Sequence, residues 1–150
     1  MDKENIKVLL IDDEKEFADS LAERMEMREL ESKTAYDGEQ GLQLVQDEVP
    51  HVVVLDLRMP GIDGVEVLER IKKNYPDIRV IVLTGHGTEE DERVTRNLGV
   101  YEYLQKPVGI DKLVSSIKNA FSSFQNAMSA ATYSEAGDMK SARDEMKKKK

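Results

Sequence analysis

The 150-residue sequence has no cysteine and no tryptophan, and only two histidines and four prolines. Without cysteine there can be no disulfide, no thiolate nucleophile and no Cys-ligated zinc or iron–sulfur centre, and His51 and His86 stand too far apart in sequence to suggest an imidazole metal site. Any metal is therefore expected to be a hard cation bound by oxygen. No run of 18 apolar residues exists and residues 1–7 are mostly charged, so neither a membrane span nor a signal segment is read, and a cytoplasmic location is expected. Positive charge is also in deficit: 22 Lys and Arg face 30 Asp and Glu, a formal net charge of −8. Phosphate backbones require clustered positive charge, so direct DNA binding is not expected.

What is present is a strong alternation of apolar patterns. Continuous blocks rich in Val, Ile and Leu occur at "VLLI" (8–11), "VVVL" (52–55) and "IRVIVL" (78–83), with weaker blocks at "KTAY" (33–36) and "YEYL" (101–104). Helical spacing follows each block: Phe17, Leu21 and Met25; Leu42 and Val45; Val67, Leu68 and Ile71; Val94 and Leu98; Val108, Leu113 and Ile117. Five strand–helix units in succession imply a parallel sheet, because each return to a parallel neighbour needs a crossover, and right-handed crossovers put helices on both faces. The length suits one such domain with an appendage. In an open sheet of this kind ligands gather at the carboxyl ends of the strands.

Those ends carry polar groups of a particular kind. After "VLLI" stand Asp12 and Asp13; after "VVVL" stands Asp56, followed by "LRMPGIDG", whose Pro60, Gly61 and Gly64 force a loop; "VLTGHG" supplies Thr84 and "YLQKP" supplies Lys106. Each alone has an ordinary structural explanation. Asp13 could cap the first helix, Asp56 could satisfy turn amides, Thr84 could close a hydroxyl turn and Lys106 could lie in solvent. Together they put three acids, a hydroxyl and an ammonium on four of five strand ends, a set suited to phosphoryl chemistry. Three carboxylates within 4–5 Å would repel by about 3–4 kcal/mol per pair at an effective dielectric of 20, which calls for a cation among them.

The motifs "LLIDDE", "VVVLDLRMPGIDG", "VLTGHG" and "YLQKP" resemble, in type, order and spacing, the receiver domain of two-component response regulators over residues 5–122. The resemblance implies a flavodoxin-like, doubly wound α/β fold with a five-stranded parallel sheet in the order 2-1-3-4-5. By the same resemblance Asp56 is the phosphoacceptor, and Asp12, Asp13, Asp56 and the backbone carbonyl of Arg58 hold Mg²⁺. Lys106 contacts the phosphoryl group, Thr84 is the switch hydroxyl, Tyr103 is the switch aromatic, and the Lys106–Pro107 peptide is cis. His86 lies where the family varies its self-dephosphorylation, although a solvent-exposed loop histidine is the simpler reading, and His51 simply starts the third strand. The implied partners are a sensor histidine kinase or phosphotransfer protein and a downstream effector protein. Catalysis would be confined to the domain's own phosphorylation and dephosphorylation.

Three other readings have distinct signatures. A phosphatase of the haloacid dehalogenase type needs a second acid two residues after its nucleophile, where this chain has Arg58. A flavin binder of the same strand order needs a first loop that accepts phosphate, which Asp12 and Asp13 oppose. A receiver-like scaffold without phosphotransfer would not need Asp56, Thr84 and Lys106 together. The expected division is a receiver domain over 1–122 and a helical extension over 123–150 with no recognisable output domain. In the extension Phe124, Met128 and Ala131 continue the stripe of Phe121, Gly137 can break it, and residues 138–146 can form a short helix capped by Asp138. The closing lysine run reads as a solvated helix end. Packing of the extension on the domain, on a partner or on a second copy as a homodimer is left open.

Overall fold

In the computed structural model, which describes residues 5–135, the strands are β1 (Lys7–Ile11), β2 (Glu31–Ala35), β3 (Val52–Leu55), β4 (Arg79–Thr84) and β5 (Glu102–Gln105). The helices are α1 (Lys15–Glu26), α2 (Gly38–Asp47), α3 (Gly64–Asn74), α4 (Glu89–Asn97) and α5 (Ile110–Glu135). All strand pairings are parallel and the order is β2-β1-β3-β4-β5, as expected. Successive side chains of a strand point to opposite faces, so the central strands feed two cores. Val8, Leu10, Val52, Val54, Ile81 and Leu83 pack with Leu21, Met25, Leu113 and Ile117 of α1 and α5. Leu9, Ile11, Val53, Leu55, Val80 and Val82 pack with Val45, Val67, Leu68 and Ile71 of α2 and α3.

The edges depart from the sequence pattern. β2 begins at Glu31 and leaves Tyr36 outside it, and β5 is displaced by one residue to Glu102–Gln105. An edge strand has one neighbour and is partly exposed, so its apolar pattern marks its ends poorly. In α4 the expected Val94 and Leu98 are only half-buried and the buried position is Thr95, whose hydroxyl donates to the carbonyls of Asp91 and Glu92 at 2.9 and 3.1 Å. Asp13 does not cap α1; Glu14 occupies that position without a side-chain bond. Asp37 and Asp63 cap α2 and α3, while Thr88 and Asp91 form a reciprocal capping box on α4.

Helix α5 passes residue 122 without interruption. Arg79 holds it there, its guanidinium donating to Ser123 Oγ at 3.1 Å and to the Ser123 carbonyl at 3.2 Å. Beside this contact His51 does more than precede β3: its Nδ1 accepts the Lys7 N–H at 3.0 Å and its ring lies 4.8 and 5.2 Å from those of Phe121 and Phe124. Gly137, the 138–146 segment and the terminal lysines lie outside the described residues. No helix among the described residues is long and apolar enough to cross a membrane.

Candidate functional site

Because all five strands run the same way, their carboxyl ends share one edge of the sheet. The register brings Ile11 opposite Leu55, and the Asp56 N–H donates to the Ile11 carbonyl at 2.9 Å, so the residues that follow β1 and β3 emerge side by side. Carboxylate oxygens of Asp12, Asp13 and Asp56 lie within 4.8 Å of one another; Asp12 and Asp56 are buried and Asp13 is half-buried. Directly behind them, Gly64 opens α3 so close to the loop that a Cβ there would lie 2.5 Å from Leu57 Cα and 2.7 Å from the Asp56 carbonyl oxygen. The floor of the site is thus fixed by backbone packed on backbone.

Lys106 reaches the acids from the far side. Its N–H donates to the Thr84 carbonyl at 2.9 Å, anchoring the end of β5 to the end of β4, and the following Lys106–Pro107 bond is cis. The ammonium donates to Asp12 Oδ2 at 2.8 Å and to Glu14 Oε1 at 2.7 Å, stands 3.7 Å from Asp56 Oδ2, and lies 4.2 Å from the centroid of the Phe17 ring. Burial pushes this ammonium down, but the hydrogen bonds to Asp12 and Glu14 and the charges of Asp12 and Asp56 outweigh it and hold Lys106 above its ordinary range. Burial raises Asp12 above the usual carboxylate range, with the Asp56 charge adding, against the Lys106 and Glu14 N–H bonds that lower it. The Lys106 hydrogen bond holds Glu14 below its ordinary value.

The donor set fits a hard divalent cation. Three carboxylates converge on one point against a single ammonium that is itself shared with Glu14, leaving net negative charge among oxygen ligands. Asp12 Oδ1 accepts the Glu14 N–H at 3.0 Å and Asp56 Oδ1 accepts the Arg58 N–H at 3.3 Å, which orient both carboxylates.

The remaining residues singled out from the sequence lie around this centre. Thr84, fully buried, ends β4, and its Oγ1 lies 3.5 Å from the His86 N–H; His86 is exposed. Tyr103 is buried against the core formed with α2 and α3. The backbone of Arg58 joins the site, whereas its side chain leaves it and pairs with Asp91, the capping-box residue of α4. Asp91 Oδ2 also accepts the Thr88 N–H at 3.1 Å, so one carboxylate ties the loop after β3 to the loop after β4. Three participants were not expected from sequence: Glu14 as a second partner of Lys106, Phe17 as its apolar rest, and the Arg58–Asp91 pair. Glu14 had a signal in the "IDDE" run; Phe17 looked like an ordinary core position.

Strand-end acids around a cation point, faced by a lysine, with a buried threonine ending the neighbouring strand of a 2-1-3-4-5 sheet, define a receiver-type domain. A model of the response regulator receiver domain matches residues 8–118, and the chain belongs to that family. It is 37% identical over 117 residues to an NtrX-like response regulator of Rickettsia typhi, covering 77% of this chain and 25% of the relative. Among solved structures, a CheY-like receiver domain protein of Methanospirillum hungatei superposes with a TM-score of 0.80 at 26% identity, covering 83% of this chain and 99% of that one. The receiver domain of NtrX from Brucella abortus gives 0.72 at 31% identity, covering 77% and 98%. The chain spans about a quarter of the length of the curated relatives it matches.

Proposed function

We propose that Asp56 accepts a phosphoryl group from a histidine kinase or phosphotransfer protein and that the resulting charge is passed to a partner surface through Thr84 and Tyr103. An Asp56 Oδ attacks the phosphorus in line as the bond from phosphorus to the donor breaks, giving an aspartyl phosphate and the freed donor. Lys106, 3.7 Å from Asp56 Oδ2, exchanges its carboxylate partners for the phosphoryl oxygens and stabilises their charge. Asp12, Asp13, Asp56 and the Arg58 carbonyl are the groups that would hold Mg²⁺, which supplies electrostatic stabilisation of the transferring phosphoryl group when bound. Thr84 donates its hydroxyl to a phosphoryl oxygen, drawing its loop inward against the Tyr103 ring. The face made by α4, β5 and α5 then changes, and a downstream effector reads it.

The single observation that carries this reading is the convergence of Asp12, Asp13 and Asp56 within 4.8 Å, with Lys106 within reach of Asp56. The receiver domain is taken as 1–122 and 123–150 as an extension; α5 crosses that boundary without a break, and Arg79 holds Ser123 just beyond it. The protein acts in the cytoplasm and catalyses only its own phosphorylation and dephosphorylation. The test is incubation with acetyl phosphate and magnesium, followed by intact mass. Gain of one phosphoryl group is expected for the wild type, none for Asp56→Asn, and none when EDTA replaces magnesium; equal labelling of the two proteins would remove the mechanism.

A further inference from the structure

The Tyr103 hydroxyl is buried without a hydrogen-bond partner among the described residues, an arrangement that is destabilising for a polar group. The inward position of the ring is therefore held by packing and by available space, with no polar contact to fix it. The space comes from the loop after β4. A Cβ built on Gly87 would lie 1.8 Å from Tyr103 Oη and 2.8 Å from Thr84 Cγ2, both closer than real contacts allow, and a tight 3.0 Å from Tyr103 Cζ. The backbone does not ask for glycine there, since the positive-φ glycines among the described residues are Gly61 and Gly99. What residue 87 must lack is a side chain, and the atom that most needs the room is the tyrosine oxygen, with the Thr84 methyl next.

We propose that Gly87 is the positioning residue for Tyr103: the place its side chain would occupy is the slot of the Tyr103 hydroxyl, so any side chain at 87 turns the ring out to solvent. The consequence rests on the switch proposed above. With the ring held out, the Thr84 loop has no buried ring to press against, so that the loop and the α4–β5–α5 face become uncoupled.

The test uses the full chain labelled with 3-fluorotyrosine, with the Tyr103 ¹⁹F signal assigned by its loss in Tyr103→Phe, and measures broadening by a soluble gadolinium chelate. It is made without metal or phosphoryl donor, so its outcome does not depend on whether Asp56 accepts a phosphoryl group. In the wild type Tyr103 is expected to be protected relative to Tyr101, which is 38% exposed. In Gly87→Ala its gadolinium-induced relaxation is expected to rise several-fold, to the level of Tyr101. A Tyr103 signal that stays protected in Gly87→Ala overturns the assignment. Should Gly87→Ala fail to fold, the comparison is made in a Thr84→Ser background, which removes the methyl at 2.8 Å: Gly87→Ala/Thr84→Ser/Tyr103→Phe, which also lacks the atom at 1.8 Å, is expected to be markedly more stable than Gly87→Ala/Thr84→Ser. Equal stability of the two would overturn the assignment, because the space would then be needed by something other than the hydroxyl.

Discussion

Replacing Asp56 by asparagine should stabilise the metal-free protein. At 4.8 Å and an effective dielectric of 20 each carboxylate pair repels by about 3.5 kcal/mol, and Asp56 takes part in two such pairs. Its attraction to the Lys106 ammonium at 3.7 Å offsets about 4.5 kcal/mol of that. About 2.5 kcal/mol of net repulsion remains at the Asp56 position, and solvent around the half-buried Asp13 reduces it to about 1–2 kcal/mol. Asparagine has the same shape and keeps an oxygen for the Arg58 N–H, so no packing is lost. Thermal unfolding in EDTA should therefore place Asp56→Asn about 2–8 °C above the wild type. Magnesium at a hundred times its dissociation constant adds about 2.7 kcal/mol to the protein that binds it, so the wild type should recover the deficit while Asp56→Asn gains little. An Asp56→Asn protein no more stable than the wild type in EDTA, or equally stabilised by magnesium, would refute the reasoning that these acids crowd one another around a cation point.

Lys106→Met leaves the buried Asp12 carboxylate without its ammonium, and should lower metal-free stability by about 3 kcal/mol while slowing phosphorylation by acetyl phosphate at least tenfold (about 1.4 kcal/mol); denaturant unfolding and intact mass check the two effects. Asp91→Asn weakens both the capping box and the Arg58 pair, so hydrogen exchange should accelerate in 89–97 by about 1 kcal/mol in opening free energy, with β1 and β3 unaffected. At the opposite end of the sheet, hydrogen bonds from Lys33 and Lys7 push the Glu48 carboxyl from its ordinary 4.5 down to about 2. A depressed carboxylate stabilises the fold above its unfolded value and loses that contribution as pH falls through its folded one. The melting-temperature gap between wild type and Glu48→Gln should accordingly be widest above pH 4.5 and close as pH falls to about 2, as calorimetry across that range would register.

The central strands were legible because strands buried on both faces are continuous apolar runs, and "VVVL" coincides with β3 residue for residue. The edges were less so, since β2 and β5 owe their bounds to pairing with β1 and β4 rather than to their own hydrophobicity. Helix α4 shows the same limit from the other side. Its core position is a threonine whose hydroxyl is satisfied by its own helix, and apolar periodicity does not find such a residue. Asp12, Asp13, Asp56, Thr84 and Lys106 could be found as a set because each sits at a strand end, and parallel strands bring their ends to one edge. The Arg58–Asp91 pair and the Gly87–Tyr103 approach arise from how the loops after β3 and β4 lie against α4 and β5, 33 residues apart for the former, and no local pattern encodes that path.

The most direct test of the central claim is where the phosphoryl group goes. After reaction with acetyl phosphate and magnesium, reduction with borohydride converts an aspartyl phosphate to homoserine, and peptide mass spectrometry then locates it. Homoserine at position 56 and at no other acid is the predicted result; homoserine at Asp12 or Asp13, or at no position while the protein gains mass, would contradict the account.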